Sequence, residues 1–406
     1  MEFSVSRNAL LQALKHCRNA LNINGVYDIF KNFVFTFPDG PEPGTMTVHA
    51  SNGEQWISET IAIYAVASPA SAPGPYKAFA VYYYEMLRAI STLEDEPLVI
   101  RVYDYQLSVH HSCGSFRLPL AKDAEEKEFL DVRKPQPDAE AKGGCRLEYE
   151  APGLRSILSR CKFAMAQDEL RPVMNGVCVN LTGDFSDYVS SDGHKLVRVR
   201  KDSMFISTDD SESISFIIPS KVVRTLLRIL PKTGDAVLEY QAGQEDGNGR
   251  ASASVIIDDN IRISFFPVDG KYPMYQRVIP ENFNYEITIN RRNLIKSVDR
   301  LNILACDMSE LIVMSITENR LHLEAAWPDF ELSGEENVDC ECKSENKGFP
   351  LRIGLKASSV SQTLKAMTSE EVVFHFVDST RPMIINPKPQ PDVEDVTMLL
   401  MPMLTG

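Results

Sequence analysis

The sequence predicts an α+β protein assembled from six copies of one β-α-β-β-β half-domain, paired into three similar domains. Two observations lead there: an apolar register that recurs six times along the 406 residues, and a β-rich, turn-punctuated stretch after each recurrence. A third, the concentration of positive charge on the predicted helices, bears on what the protein binds.

The register places apolar residues at positions 0, +2, +7 and +11. It is met by Phe3/Val5/Leu10/Leu14, Phe79/Val81/Met86/Ile90, Leu147/Tyr149/Leu154/Leu158, Phe216/Ile218/Val223/Leu227, Ile287/Ile289/Leu294/Val298 and Ile353/Leu355/Val360/Leu364. Successive copies start 76, 68, 69, 71 and 66 residues apart. The first two positions have the period of a half-buried strand, and the last two share one face of a helix entered directly from it. Helices are therefore expected over residues 4–21, 82–92, 153–163, 220–230, 290–301 and 357–367.

Strands follow each helix. In the second copy Leu98-Val-Ile-Arg-Val102 reads as one. In the third, Asp187-Tyr-Val-Ser-Ser191 and Lys195-Leu-Val-Arg-Val199 flank the turn pair Asp192-Gly193, the signature of a hairpin. In the sixth, Val372-Val-Phe-His-Phe-Val377 is another strand. The Pro-, Gly- and charge-rich stretch 131–144 and the shorter 280–284 read as linkers, which divides the chain into domains 1–134, 143–281 and 284–406. The stretch 243–250 reads as a surface hairpin loop.

No apolar run reaches the roughly 18 residues of a membrane span, and Met1-Glu2-Phe3-Ser4 lacks a signal pattern, so a cytoplasmic protein with no membrane partner is expected. The cysteines are scattered; Cys17, Cys161, Cys178 and Cys306 fall in apolar-periodic stretches where a thiol acts as a small hydrophobe. Cys340-Glu-Cys342 and His110-His111 have no second pair at zinc-like spacing, so neither a metal nor any other cofactor is expected.

The net charge of −14 alone argues against nucleic acid. Its distribution reverses that inference. The predicted helices hold fifteen cations (Arg7, Lys15, Arg18, Arg88, Arg155, Arg160, Lys162, Lys221, Arg224, Arg228, Arg291, Arg292, Lys296, Arg300 and Lys365) against Glu85 and Asp299, about +13, leaving about −27 elsewhere. Each helix gives its apolar face to its own sheet, so the basic residues lie on the opposite face, and six such helices on one surface make a cationic band. An acidic remainder disfavours binding of DNA anywhere else.

Three stretches carry a family resemblance: Lys162-Phe-Ala-Met-Ala-Gln-Asp-Glu-Leu-Arg-Pro-Val-Met-Asn-Gly176, Ser191-Asp-Gly-His-Lys-Leu196 and Asp269-Gly-Lys-Tyr-Pro-Met-Tyr-Gln-Arg-Val-Ile-Pro280, with a terminal Met401-Pro-Met403. With the repeat and the charge pattern, they resemble the β subunit of bacterial DNA polymerase III over essentially the whole chain. The resemblance implies the DNA clamp fold and a head-to-tail homodimer closing a ring, with sheets outside and helices inside. The implied function is that of a sliding clamp without catalysis of its own. It would encircle double-stranded DNA without reading sequence, tether the DNA polymerase III catalytic subunit, and be opened by a clamp loader. A nucleoid-associated location during replication follows.

By the same resemblance, partners insert a short, glutamine-containing, apolar-ended peptide into a cleft formed by Met174, Gly193, His194, Leu196, Pro273, Arg277, Val278, Leu399, Leu400, Met401, Pro402 and Met403. Flexible methionines suit a pocket shared by many ligands. DNA contacts are expected from the 167–173 loop, especially Gln167 and Arg171, and from Arg7, Lys15, Arg18, Arg155, Arg160, Lys221, Arg224, Arg228, Arg291, Arg292 and Lys296. Phe116 and Leu118 are expected to meet Ile303 and Leu304 across the dimer interface. The chain departs from the family pattern twice: the loop Asn24 to Phe30 lacks the basic and proline residues often found there, and Leu404 stands where a basic residue often follows the final Met-Pro-Met.

Two other classes compete. An enzyme would need a catalytic set, and Ser190, Ser191, Asp192 and His194, crowded on one turn, match no nucleophile elbow; no phosphate-cradling glycine motif is present either. A peptide-binding scaffold that does not encircle DNA would keep the cleft and dispense with the helix cations.

Overall fold

The computed structural model describes residues 1–37, 44–65, 78–103, 105–121, 129, 134–141, 143–202, 213–243, 249–317, 319–344, 351–391 and 393–405. The first third runs β1 (Glu2–Ser6), α1 (Arg7–Cys17), β2 (Asn32–Thr36), β3 (Thr45–Ser51), β4 (Gln55–Ala65), β5 (Ala78–Tyr82), α2 (Tyr83–Thr92), β6 (Pro97–Tyr103), β7 (Gln106–His111) and β8 (Gly114–Pro119). The middle third repeats the order: β9 (Gly144–Glu150), α3 (Ala151–Cys161), β10 (Gly176–Leu181), β11 (Phe185–Ser191), β12 (Lys195–Asp202), β13 (Ile214–Pro219), α4 (Ser220–Ile229), β14 (Asp235–Gln241), β15 (Ser252–Ile257) and β16 (Ile261–Phe265). The last third is β17 (Tyr285–Asn290), α5 (Arg291–Asn302), β18 (Leu311–Ile316), β19 (Arg320–Trp327), β20 (Leu332–Ser344), β21 (Leu351–Lys356), α6 (Ala357–Lys365), β22 (Glu371–Phe376), β23 (Met383–Lys388) and β24 (Asp395–Leu400). The expected β-α-β-β-β order is met six times.

The repeated register forms the cores. Phe3, Val5, Leu10 and Leu14 are buried, as are the corresponding residues of the other copies, except Tyr149 and Leu227, which are half-buried. The first helix was expected from residue 4; it starts at Arg7, because Ser4 to Ser6 stay in β1 and the Ser6 hydroxyl accepts from the Ala9 amide as N-cap. Of the expected loops, residues 131–133, 142 and 244–248 lie outside the described residues.

The described residues form two compact units. One holds β1–β9 and β14–β16 in a twelve-stranded antiparallel sheet, with path β8-β7-β6-β1-β4-β16-β15-β14-β9 and β3, β2 and β5 branching from β4. The other holds β10–β13 and β17–β24 in a second, ordered β13-β10-β11-β12-β24-β23-β22-β17-β20-β19-β18-β21. The middle third is divided between them because its two halves are stitched by strand pairing to different neighbours: β16 runs antiparallel to Gln55–Glu59 of β4, and β24 to Lys195–Arg200 of β12.

Candidate functional site

The expected peptide cleft lies wholly within the second unit and is built on the β11–β12 hairpin. Asp192 Oδ1 accepts from the amides of His194 and Lys195, each at 2.9 Å, and Ser191 Oγ accepts from the Gly193 amide at 3.1 Å. Gly193 has φ +91°, a region closed to most side chains, so the turn requires glycine there. The hydroxyls of Ser190 and Ser191 donate to the carbonyls of Cys161 and Lys195. These side chains thus shape the backbone, and the crowding seen in the sequence has a structural cause.

Beyond the turn, β12 pairs with β24 so that Leu196 faces Leu399, and the Met401 amide donates to the His194 carbonyl at 2.8 Å. The Met403 amide donates to Gly354 at the same distance, which ties down the Met401-Pro402-Met403 tail at both ends. Leu196 and Leu399 join Cys178, Val189, Ile217, Ile384, Tyr272 and Tyr275 in one apolar cluster, which would form the floor of the expected cleft. Leu400 is buried too, but adjacent residues of a strand point to opposite faces, so it lies outside this floor and is removed from the cleft set.

The rim is wet and apolar by turns. Met401, Val278 and Met274 are 38%, 48% and 54% exposed and Leu170 is 91% exposed, while Pro273, His194, Arg277 and Arg171 are also exposed. Met274 was not among the expected cleft residues; it stands between Pro273 and Arg277, and an apolar residue beside Pro in a turn-rich segment was the available signal. Met174 is buried, its carbonyl accepting from the Ala166 amide. Arg171 pairs with Asp168 at 2.8 Å, and that hydrogen bond holds the Asp168 carboxyl below its ordinary range. Gly193 lies against the Arg171 guanidinium, where a Cβ would come within 3.4 Å.

The cations expected to face DNA separate into two groups. Arg7 donates to the carbonyls of Ile90 and Ser91 at the end of α2, Arg155 to Leu227 at the end of α4, and Arg291 to Leu364 at the end of α6 and to Ser369 in the segment that follows it. In each third, therefore, an arginine in the first half of the first helix (its first residue in the outer thirds, its fifth in the middle one) reaches the carbonyl end of the second, where unpaired carbonyls and the helix dipole favour a cation. Burial, and then the adjacent Arg292, lower the Arg291 pKa from its ordinary value. Arg160 is 9% exposed and pairs with Glu394, so it is corrected from DNA-facing to internal. Lys15, Arg18, Lys221, Arg228, Arg292, Lys296 and Gln167 are exposed and Arg224 half-buried; Arg228 also donates to Asn19 at 3.1 Å.

Two sheet edges matter. β8 ends the first unit's sheet, with Phe116 half-buried and Leu118 9% exposed. In the second unit β20 pairs with β19 over 332–339 on one side; on the other, β17 covers only Cys340–Ser344, and among the described residues no strand covers 332–338. Leu304 packs on this stretch, so close to Gly334 that a Cβ there would collide with it, and the neighbouring Ile303 and Met308 are 76% and 94% exposed.

Three similar thirds, with one apolar cluster bordered by exposed flexible side chains, define a modular protein with one candidate binding surface. Family models for the DNA polymerase III beta subunit match it: the central domain over residues 149–274 and the C-terminal domain over 276–403. The chain belongs to the DNA polymerase III beta subunit family, the sliding clamps that act as accessory subunits rather than enzymes. It is similar to the beta sliding clamp of Pseudomonas aeruginosa, at 23% identity over 99% of this chain and 100% of that one. The likeness to the clamp of Staphylococcus epidermidis, 27% identical, spans 62% of each chain. Crystal structures of the Pseudomonas aeruginosa clamp and the Thermotoga maritima beta subunit share the fold over the full length of both chains, with TM-scores of 0.84 and 0.81 at 22% and 23% identity.

Proposed function

We propose that two copies of this chain close head to tail into a ring around double-stranded DNA, and that the cleft on β12 and β24 tethers the DNA polymerase III catalytic subunit, the clamp loader and other proteins carrying a clamp-binding peptide. The observation that carries this reading is the use of strand edges. In the first two thirds, the strand leaving the β-hairpin (β4, β12) accepts the last strand of another third (β16, β24) along its turn-proximal half. Among the described residues the equivalent half of β20 has no such partner, and β8, the last strand of the first third, has one edge unpaired. Exposed edges are templates for pairing, and pairing β8 of each copy with β20 of the other leaves neither open.

Apolar side chains flank both edges: Phe116 and Leu118 on one, Ile303 and Leu304 on the other. The sequence repeat supports a functional division into domains 1–134, 143–281 and 284–406. DNA contacts come from Lys15, Arg18, Lys221, Arg224, Arg228, Arg292 and Lys296 with Gln167 and Arg171, all through phosphate and none through base edges. Such a ring works in the cytoplasm, on the nucleoid during replication. Sedimentation equilibrium tests the closure: the wild type is expected as a dimer, and Ile303→Ala with Leu304→Ala as a folded monomer that still binds peptide. A dimer of undiminished stability in that double variant refutes the interface.

A further inference from the structure

Three equivalent hairpins carry a hydrogen-bonded cross-strand pair at the same register, two residues before the positions facing Val34, Cys178 and Val313. In the first third it is Thr47 and Thr60, oxygen to oxygen at 2.9 Å; in the last it is His322 and Asn337, at 3.2 Å. In the middle third the pair is ionic. Asp187 is fully buried and accepts from Arg200 Nε and Nη2 at 2.7 and 2.9 Å, while the guanidinium lies 3.6 Å from the centre of the Phe185 ring.

In the last third His322 Nε2 also lies 3.3 Å from Glu324 Oε1 of its own strand, whereas in the middle third the third member comes from outside the hairpin. The Tyr275 hydroxyl donates to Asp187 Oδ2 at 2.7 Å and accepts from Asn180 Nδ2 at 3.4 Å. Tyr275 opens the 3-10 turn Tyr275–Val278, which carries Arg277 and Val278 to the rim of the cleft. In the first third, Phe129 belongs to the corresponding cluster with Val34, Trp56 and Ala80, and it has no hydroxyl. A buried charge normally costs stability unless fully paired, and here the carboxylate is paired on both oxygens. Apolar contact alone would let the ring slide over the floor, whereas a short bond to a fixed carboxylate is directional.

We propose that Tyr275 is a positioning residue for the peptide cleft: its hydroxyl, anchored on the buried Asp187–Arg200 pair, fixes the turn that presents Arg277 and Val278 to the incoming peptide. The inference rests on the reading of this surface as a peptide cleft. Burial and Asp187 raise the Tyr275 pKa, so the hydroxyl remains a donor throughout the neutral range.

The test uses the full-length protein and a short fluorescent peptide with one glutamine and an apolar C-terminal end, followed by stopped-flow anisotropy. Tyr275→Phe removes the hydroxyl alone. Asp187→Thr with Arg200→Thr transplants the first-third pair and takes away the acceptor. Losing one charge-assisted hydrogen bond is expected to weaken binding by about three- to tenfold in each variant. The loss should fall on the association rate, because fewer molecules hold the turn ready, with dissociation little changed. A Val278→Ala substitution should then cost less in the Tyr275→Phe background than in the wild type. Wild-type affinity and association rate in both folded variants, or strict additivity with Val278→Ala, overturns the proposal. Failure of the wild-type protein itself to bind the peptide overturns the cleft reading on which it depends.

Discussion

Arg291 and Arg292 are adjacent residues opening α5, of the same type and charge, and the structure gives them different surroundings. Arg291 is half-buried and donates from Nε to the Ser369 carbonyl at 2.5 Å and from Nη1 to the Leu364 carbonyl at 3.1 Å. Arg292 is exposed. Hydrogen bonds from a charged donor contribute about 1.5–3 kcal/mol each when well buried. Partial exposure and guanidinium desolvation offset much of that, so Arg291→Ala is expected to cost about 2 kcal/mol in all. With a urea slope of about 2–3 kcal/mol per molar, the unfolding midpoint falls by roughly 0.5–1 M. Arg292→Ala should leave the midpoint unchanged and instead reduce the salt at which the protein is lost from DNA. Urea unfolding followed by circular dichroism, beside retention on nicked circular DNA across a salt series, separates the two. An unchanged midpoint for Arg291→Ala together with a lowered one for Arg292→Ala refutes the division of cations into helix clamps and phosphate contacts.

Other outcomes follow from the same structure. Arg160→Ala strands Glu394 as a buried, unpaired carboxylate and should cost about 3–5 kcal/mol in chemical denaturation; Arg160→Ala with Glu394→Ala should recover part of that loss. Met401→Asp places a charge on the apolar rim and should abolish peptide binding by anisotropy while leaving the sedimentation profile of the protein unchanged. Burial, and secondarily Lys134, lower the His49 pKa from 6.5 to about 3. The unfolded chain takes up that proton first, so stability should drop as the pH falls from about 6.5 to about 3. His49→Val, which copies the equivalent Val189 of the middle third, should flatten the urea midpoint over that window.

Much of the fold was legible because its signal is local and repeated. Phe3, Val5, Leu10 and Leu14 announce strand and helix by period alone, and five further copies remove the ambiguity of any one. The Asp192-Gly193 turn was legible because glycine and an Asx side chain have a conformational reason to be there. What the sequence hid depends on acceptors distant in the chain. Arg7, Arg155 and Arg291 look like solvent-facing cations, yet each finds helix-end carbonyls 72 to 84 residues away. Arg160 finds Glu394 across 234 residues. Leu400 was read as a cleft residue with Leu399 because an apolar run does not say which residue faces which side of a sheet; the pairing of Leu196 with Leu399 decides it. The roles of Asp187, Arg200 and Tyr275 were illegible for the same reason, since Tyr275 meets Asp187 across 88 residues.

Encirclement is the central claim, and topology tests it most directly. The protein is loaded by a clamp loader onto nicked circular plasmid, and the plasmid is then cut once with a restriction enzyme. Retention on the circle and loss from the cut DNA is the predicted result, because a ring held by weak phosphate contacts slides off a free end. Equal behaviour on the circle and on the linear DNA would contradict encirclement and leave a peptide-binding scaffold.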